Sequence, residues 1–253
     1  MVEHDGHVGQ VLDKLEELGL DDNTIVMYST DNGSESFSWP DGGTTPFRGE
    51  KNTNWEGGYR VPTAIRWPGV IKPGTVNNEL FAHEDMLPTL LAAAGVPDVK
   101  EQLLKGMKVG DKTFKVHLDG YNITDALAGK GPSPRHEFFY FSDDGSVVAL
   151  RYDNWKLTFQ EQRAEGLAVW QEPFVPLRFP MLCNLRSDPF EQAHEIGIGY
   201  AKWRLDRAFL LVPAQQIVGQ FLATFREFPP SQKAGSFSLD HVMAALASGI
   251  NDK

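Results

Sequence analysis

The residues best suited to chemistry are Asp31-Asn32-Gly33, which directly follow the apolar, β-branched run 24–29. Asp31 and Asn32 place a carboxylate oxygen beside an amide oxygen, and such hard donors suit Ca²⁺ or Mg²⁺ better than a soft metal. In open α/β sheets, ligands bind at the carboxyl ends of strands. Because this tripeptide is also a common turn sequence, an ordinary turn is the alternative interpretation.

A second candidate is the run 46–62, which is rich in glycine, polar groups and charge and lies between two predicted strands. Long ordered loops are usually functional. Within this loop, Lys51 would place a compact cation against an anionic substrate. An ordinary solvated lysine is the alternative for Lys51.

Both segments resemble signatures of the sulfatase family. Residues 24–33 (TIVMYSTDNG) resemble its strand and metal-binding turn. Residues 49–62 (GEKNTNWEGGYRVP) resemble a second signature, in which a lysine lies five residues before the glutamate of Glu-Gly-Gly. Further similarity lies in residues 66–69, 85–91 and 188–190, so the resemblance covers most of the chain.

The resemblance implies a function and a set of site residues. Asp31 and Asn32 would be ligands of Ca²⁺, with Mg²⁺ the less favoured ion, and Lys51 would bind the sulfate group. Family members act through a formylglycine made from the first residue of Cys/Ser-x-Pro-x-Arg, a covalent route that divides one difficult step into two. The expected reaction is hydrolysis of sulfate esters, foremost aryl sulfates, with a small molecule or a glycan as substrate.

The formylglycine pattern is not found in residues 1–253. Cys183 has the wrong context, and Ser133-Pro134-Arg135 is a near miss in which proline directly follows the serine. Its flanking Gly131 and Pro132 suggest a linker. We therefore expect the nucleophile in an amino-terminal part outside these residues, and a chain that is a carboxyl-terminal portion inactive by itself.

Three histidines are assigned no catalytic role. His4 and His7 lie on the first predicted helix and are interpreted as structural or solvent-facing. His83 is interpreted as a capping or packing residue.

Two other functions stay open. One is a phosphonate or phosphate diester hydrolase of the same superfamily, whose members share the metal turn. The other is a catalytically inactive fragment or pseudoenzyme.

Periodicity predicts the elements that position these residues. A helix with Asp5 as its N-cap ends near Gly19, and run 24–29 suits a parallel strand buried on both faces. A strand at 61–67 and a helix at 85–94 that stops at Gly95 follow. Further strands are predicted at 114–118, 137–141, 147–151 and 155–159, the last three as an antiparallel meander, and helices at 201–211 and 213–228.

The resemblance and these elements together predict the fold class. It is α/β of the alkaline-phosphatase type, truncated, with helices on both faces of the sheet and a smaller carboxyl-terminal α+β domain. The predicted division places the catalytic α/β part in residues 1–130 and the antiparallel domain in residues 131–253.

Composition excludes some classes. The formal charge of −10 disfavours nucleic acid as a partner, because an acidic chain repels phosphate backbones. Apolar runs are too short for a transmembrane segment. Cys183 is the single cysteine, so no disulfide forms within the chain.

Overall fold

The amino-terminal part contributes one helix and a two-stranded sheet. The computed structural model describes residues 1–39, 42–230, 232–236 and 243. Helix α1 spans Val2–Glu17, and β1 (Val26–Tyr28) pairs antiparallel with β2 (Ala64–Arg66). The loop that leaves β1 holds Asp31 and Asn32, and the chain between β1 and β2 also holds Lys51.

Two details of this part differ from the sequence prediction. The N-cap of α1 is Met1 and Asp5 lies inside the helix, because helical hydrogen bonding already begins at Val2. Gly19 follows the helix with a φ of 66°, as its predicted role as a stop requires. Strand β1 is shorter than the run 24–29 and half exposed, and its described pairing with β2 is antiparallel, so the prediction of a doubly buried parallel strand is wrong.

A group of short elements follows. Helix α3 begins after a 3-10 turn at His83–Asp85, and Gly95 follows it with a φ of 93°, which confirms the predicted stop. Strands β3 and β4 form a hairpin that ends at Phe114, so the predicted strand 114–118 is wrong. The elements are α2 (Glu56–Tyr59), α3 (Met86–Ala93), α4 (Val99–Lys105), β3 (Met107–Val109), β4 (Lys112–Phe114) and α5 (Thr124–Leu127).

The largest sheet is a four-stranded antiparallel meander in the order β5-β6-β7-β8. Its strands are β5 (Glu137–Phe141), β6 (Val147–Tyr152), β7 (Trp155–Glu161) and β8 (Val175–Asn184). The meander predicted for the first three is confirmed. Strand β8 was not predicted, because Pro176 and Pro180 interrupt its pattern; it lies at the sheet edge, where proline is tolerated.

Three helices complete the described chain: α6 (Ala193–Ile196), α7 (Tyr200–Leu205) and α8 (Leu211–Thr224). The helix predicted at 201–211 is divided, since α7 ends at Leu205 and a separate 3-10 turn spans Ala208–Leu210. Leu150, Leu157 and Leu182 pack against Ala214 of α8. Within the described ranges, no helix is long and apolar enough to cross a bilayer.

The meander is buried on its other side as well, and this contact positions the candidate site. Tyr140, Val148 and Ala149 are buried there, and Tyr59 packs against them. Tyr59 lies eight residues after Lys51 in the chain. The predicted division of the chain at residue 130 stays a prediction. Residues 237–242 and 244–253 of the predicted carboxyl-terminal domain lie outside the described residues.

Candidate functional site

A cleft of about 960 Å³ lies between the meander and the connection from β1 to β2, which holds both candidate segments. Asp31, Asn32 and Lys51 all line this cleft, so the two candidate segments converge. Its walls also include side chains that were assigned no catalytic or binding role from the sequence: Arg60, His83, Glu84, Arg151 and Trp170.

The Asp31-Asn32 turn presents oxygen donors. The amide nitrogen of Asn32 donates to the Gly33 carbonyl at 2.8 Å, which leaves the amide oxygen as its free polar atom. The Asp31 carboxylate accepts a 3.3 Å hydrogen bond from the Thr30 hydroxyl and is exposed. These donors fit a hard cation by type but supply only two of the roughly six to eight oxygens that Ca²⁺ takes. The part of the chain that the structure describes contains no group of three or more His, Cys, Asp or Glu that could hold a metal.

Close backbone packing fixes this turn against the Glu-Gly-Gly segment. The amide of Gly33 donates to the Gly58 carbonyl at 2.9 Å. A Cβ atom at Gly33 would lie 1.7 Å from the carbonyl oxygen of Gly57, and one at Gly57 would lie 2.4 Å from that of Arg48. Glycine is therefore required at these positions by contact distance, and the Asp31-Asn32 turn and the loop that carries Lys51 form one packed unit.

Substitution Gly33→Ala is expected to destabilise the fold by about 1–3 kcal/mol, because backbone must move to admit the methyl group. Urea unfolding followed by circular dichroism measures this loss. Gly9→Ala is the matched control, since no atom lies within 4 Å of its added Cβ and it lies within α1. The control should gain stability, by about 0.5–1 kcal/mol. Equal effects of the two substitutions would contradict the packing argument.

The Lys51 amine is an accessible cation with one distant carboxylate partner. Its Nζ atom lies 3.9 Å from Glu35 Oε1 and 5.5 Å from the centroid of the Trp170 ring. The backbone amide of Lys51 donates to the Ser34 carbonyl at 2.9 Å, which connects the lysine to the segment that follows the Asp31-Asn32 turn. An amine held by its backbone and weakly paired at its tip is suited to binding an anion.

Beneath the cleft lies a buried charge cluster that consists of Lys156, Glu56 and Glu191, which we call the Lys156 cluster. The Lys156 amine lies 3.2 Å from Glu56 Oε1 and 2.8 Å from Glu191 Oε1, and it donates to the Asn54 carbonyl at 2.7 Å. Glu191 Oε2 accepts from the Glu56 amide at 2.7 Å. The cluster therefore joins α2, strand β7 and the segment after β8.

The two carboxyl groups of the Lys156 cluster have opposite pKa shifts. Burial by itself raises the pKa of Glu56, but Lys156, the Tyr140 hydroxyl, Arg151 and Arg60 outweigh burial and hold this pKa at about 2. Burial also raises the pKa of Glu191; there Lys156 opposes the shift only in part, and Glu56 adds to it. Glu56 is thus held ionised, while Glu191 depends on the single Lys156 cation.

The segment predicted as a linker is part of the core. Ser133 and Arg135 are buried, and the Arg135 guanidinium makes a bidentate pair with Asp85, at 2.7 Å from Nε to Oδ2 and 2.6 Å from Nη2 to Oδ1. The linker interpretation fails because Arg135 neutralises a carboxylate that lies 50 residues earlier in the chain.

None of the three histidines was assigned a catalytic role from the sequence. In the structure two of them contact a neighbouring hydroxyl group and one is exposed. His4 Nε2 lies 3.1 Å from the Tyr28 hydroxyl, and His7 is exposed on α1. His83 begins a 3-10 turn, with Nε2 at 3.3 Å from Ser29 Oγ at the end of β1, and it lines the cleft.

Comparison with known proteins places this geometry in a class. A family model described as Sulfatase matches residues 1–96. Human arylsulfatase A is 32% identical over 209 residues, which cover 78% of this chain and 38% of that protein. The N-acetylgalactosamine-6-sulfatase of Canis lupus familiaris is 30% identical over 208 residues, which cover 75% of this chain and 37% of that protein.

A solved structure gives the same result. The PsFucS1 sulfatase from Pseudoalteromonas sp. superimposes with a TM-score of 0.69 at 30% identity, covering 90% of this chain and 42% of that one. The fold is therefore the alkaline-phosphatase-like α/β fold of sulfatases, here with antiparallel sheets. The chain belongs to the sulfatase family. It spans between about a fifth and two fifths of the length of the curated relatives that it matches.

Proposed function

We propose that this chain provides the sulfate-binding and metal-binding residues of a sulfuric ester hydrolase of the arylsulfatase type. The observation that supports the proposal is the convergence of Asp31, Asn32 and Lys51 on one cleft. Similarity to arylsulfatase A over 78% of the chain agrees with it. The substrate would be a sulfate ester, which the enzyme would convert to an alcohol or phenol and sulfate.

The residues of this chain have separate roles in the proposal. Lys51 would contact sulfate oxygens and offset their charge as the bond to the leaving oxygen breaks. Asp31 and Asn32 would hold a Ca²⁺ ion, which supplies further positive charge at the sulfate. A formylglycine would supply the nucleophile, and no residue of 1–253 has the sequence context for its formation. The chain's own contribution is thus binding and charge stabilisation.

Hydrolysis of phosphate diesters or phosphonates is the rival activity, because the same turn and lysine would also bind a phosphoryl group. The test is to extend the protein by an amino-terminal part that carries Cys/Ser-x-Pro-x-Arg, to co-express it with a formylglycine-generating enzyme, and to compare kcat/KM for 4-nitrophenyl sulfate with that for bis(4-nitrophenyl) phosphate. A higher value for the sulfate supports the proposal. A higher value for the diester supports the rival, and binding of inorganic sulfate without any turnover supports the inactive alternative.

Substitution Asp31→Ala is expected to lower Ca²⁺ affinity by about tenfold or more, since it removes the one charged donor of the turn. Isothermal titration calorimetry measures the affinity without any need for turnover. Residues 1–253 by themselves should bind Ca²⁺ weakly, because two candidate ligands leave most of its coordination to water.

The control for this measurement is Asp22→Ala. Asp22 is an exposed carboxylate in the 3-10 turn that precedes β1, outside the cleft lining. Its removal changes the net charge by the same amount and should leave Ca²⁺ affinity unchanged. An equal loss in both variants would show that overall charge, rather than the Asp31 turn, determines binding.

A further inference from the structure

Residues 162–172 follow strand β7, and we call this segment the strap. The strap lies along the run 46–62, which carries Lys51, and its end reaches the cleft through Trp170. It contains a 3-10 turn at Gly166–Trp170. The side-chain amide of Gln162 donates to the Glu172 carbonyl at 2.8 Å, so the two ends of the strap are joined. This hydrogen bond between its two ends closes the strap into a loop.

Hydrogen bonds connect the strap to both neighbours of Lys51 in the chain. Asn52 Nδ2 donates to the Val169 carbonyl at 2.7 Å, and the Gly166 amide donates to Glu50 Oε1 at 2.9 Å. Asn52 has a φ of 64°, a left-handed conformation that asparagine tolerates better than most residues. Because residues 50 and 52 are both bound to the strap, the position of Lys51 depends on it.

The strap presents one large aromatic side chain to the cleft. Val169 is buried, whereas the adjacent Trp170 is 44% exposed and lines the cleft. The Lys51 amine lies 5.5 Å from the Trp170 ring centroid, within the range of a cation–π contact. An indole that is exposed beside the candidate sulfate-binding cation offers an apolar surface next to the place where a bound sulfate ester continues into its organic group.

We propose that Trp170 is a specificity-determining residue that packs against the ring carrying the sulfate ester, and that the strap sets its distance from Lys51. This inference rests on the proposed function, because it takes Lys51 as the sulfate-binding group. A ring attached through one ester oxygen continues directly from the sulfate, and the indole centroid lies 5.5 Å from the Lys51 amine, so one ligand is long enough to contact both. The preferred ligand is therefore a sulfate monoester of a flat or flat-faced ring, rather than of a small alkyl group.

The experiment separates the ring from the sulfate by calorimetric titration with phenyl sulfate, methyl sulfate and inorganic sulfate. Substitution Trp170→Leu should weaken phenyl sulfate binding roughly three- to tenfold, the range expected for loss of one aromatic contact. Methyl sulfate and inorganic sulfate should bind as before. Trp170→Phe should retain most of the phenyl sulfate affinity, which gives the order Trp, Phe, Leu for this ligand alone.

Two further variants test the strap itself. Leu167→Ala is the matched control, since Leu167 is exposed on the same 3-10 turn but does not line the cleft, and it should change no affinity. Asn52→Gly allows the left-handed backbone and removes the side chain that bonds to Val169. It should weaken phenyl sulfate binding as well, because the indole is then no longer held at a fixed distance from Lys51.

The outcomes are distinguishable. Unchanged phenyl sulfate binding in Trp170→Leu, or an equal loss for all three ligands, would overturn the role of Trp170 while the proposed function stands. If the unaltered protein binds none of the three ligands, the proposed function is wrong and this inference fails with it.

Discussion

In a full-length enzyme that carries the formylglycine nucleophile, replacing Lys51 by alanine is expected to lower kcat/KM for an aryl sulfate by about a hundredfold, which corresponds to roughly 3 kcal/mol of transition-state stabilisation. Among the residues that the structure describes, Glu35 is the one carboxylate partner of the amine, and its Oε1 atom is as far as 3.9 Å away, so the charge of Lys51 is available to a ligand. Without the amine, charge on the sulfate oxygens would be left uncompensated in a partly dehydrated cleft. Steady-state assays with 4-nitrophenyl sulfate measure the effect, and titration with inorganic sulfate measures the loss of binding independently of turnover.

Two other lysine substitutions sharpen this test. Lys51→Arg should restore activity only in part, because a planar guanidinium is larger than an ammonium and the Trp170 ring limits the space beside it. Lys72→Ala removes an exposed lysine outside the cleft and should leave both sulfate affinity and turnover unchanged. A Lys51→Ala protein with normal sulfate affinity would show that this lysine is an ordinary surface residue.

The candidate ligands were predictable because they lie in contiguous sequence. Asp31 and Asn32 directly follow a strand-like run, and Lys51 lies in a compact signature whose glycines have a structural reason. That reason becomes visible only in three dimensions, since Gly33 and Gly57 approach too closely for any side chain. Local sequence was therefore enough to propose the candidate residues, whereas the packing that brings the two turns together could not be predicted from it.

The supporting residues were not predictable, because their partners are distant in sequence. Lys156 lies in an apolar strand and pairs with Glu56, 100 residues earlier. Glu191 binds the backbone of Glu56 across 135 residues. No spacing rule links such positions. A lysine within the strand run 155–159 was the one available signal, since lysine is rarely buried unless it is paired.

The direction of β1 was mispredicted for a related reason. An apolar run without alternation predicts that a strand is buried on both faces. Whether the strand pairs parallel or antiparallel depends instead on which other segment of the chain lies beside it. Here β2 returns from the Lys51 loop and pairs antiparallel, with Met27 opposite Ile65. The two strands thereby close the loop that carries Asp31, Asn32 and Lys51, so an antiparallel pair holds both candidate turns at one end of the sheet.

The Lys156 cluster makes the lysine loop and the meander interdependent. Asn54 Nδ2 donates to the Gln160 carbonyl at 2.6 Å, and Lys156 of the same strand donates to the Asn54 carbonyl at 2.7 Å. The loop that carries Lys51 is thus fixed to strand β7 by two hydrogen bonds of Asn54, one from its side chain and one to its backbone carbonyl. A change beneath the cleft should therefore affect stability first and ligand binding second.

Substitution Lys156→Met is expected to lower the free energy of unfolding by about 3–5 kcal/mol at pH 7, the range for removing one partner of a buried ion pair. Methionine keeps most of the side-chain volume, so the loss reflects charge rather than a cavity. Glu56 would retain Tyr140, Arg60 and Arg151 as partners, whereas Glu191 would lose its only ion-pair partner in the described structure. Urea unfolding at equilibrium, followed by tryptophan fluorescence, measures the difference.

The pH dependence of this difference identifies its cause. A carboxyl group whose folded pKa is raised destabilises the fold at pH values above its ordinary pKa, and the loss is recovered as pH falls and the group binds a proton. The pKa of Glu191 is already raised by burial, and removal of Lys156 would raise it further. The gap between Lys156→Met and the unaltered protein should therefore narrow between pH 7 and pH 5. In the unaltered protein Glu56 stays ionised over this interval, because its pKa is about 2. Loss of Lys156 would raise the pKa of Glu56 as well, and any proton that Glu56 then binds as pH falls would narrow the gap in the same direction.

Lys202→Met makes the same chemical change in an exposed pair and serves as the control. The Lys202 amine lies 2.7 Å from Asp206 Oδ2 on α7, with 82% of its side chain exposed. Such exposed pairs contribute no more than about 0.5 kcal/mol, so this variant should unfold almost as the unaltered protein does at both pH values. A Lys156→Met protein that resembles this control, or one whose deficit does not change with pH, would show that the buried cluster does not depend on the Lys156 charge. The expected contrast arises because water screens one lysine and burial removes that screening from the other.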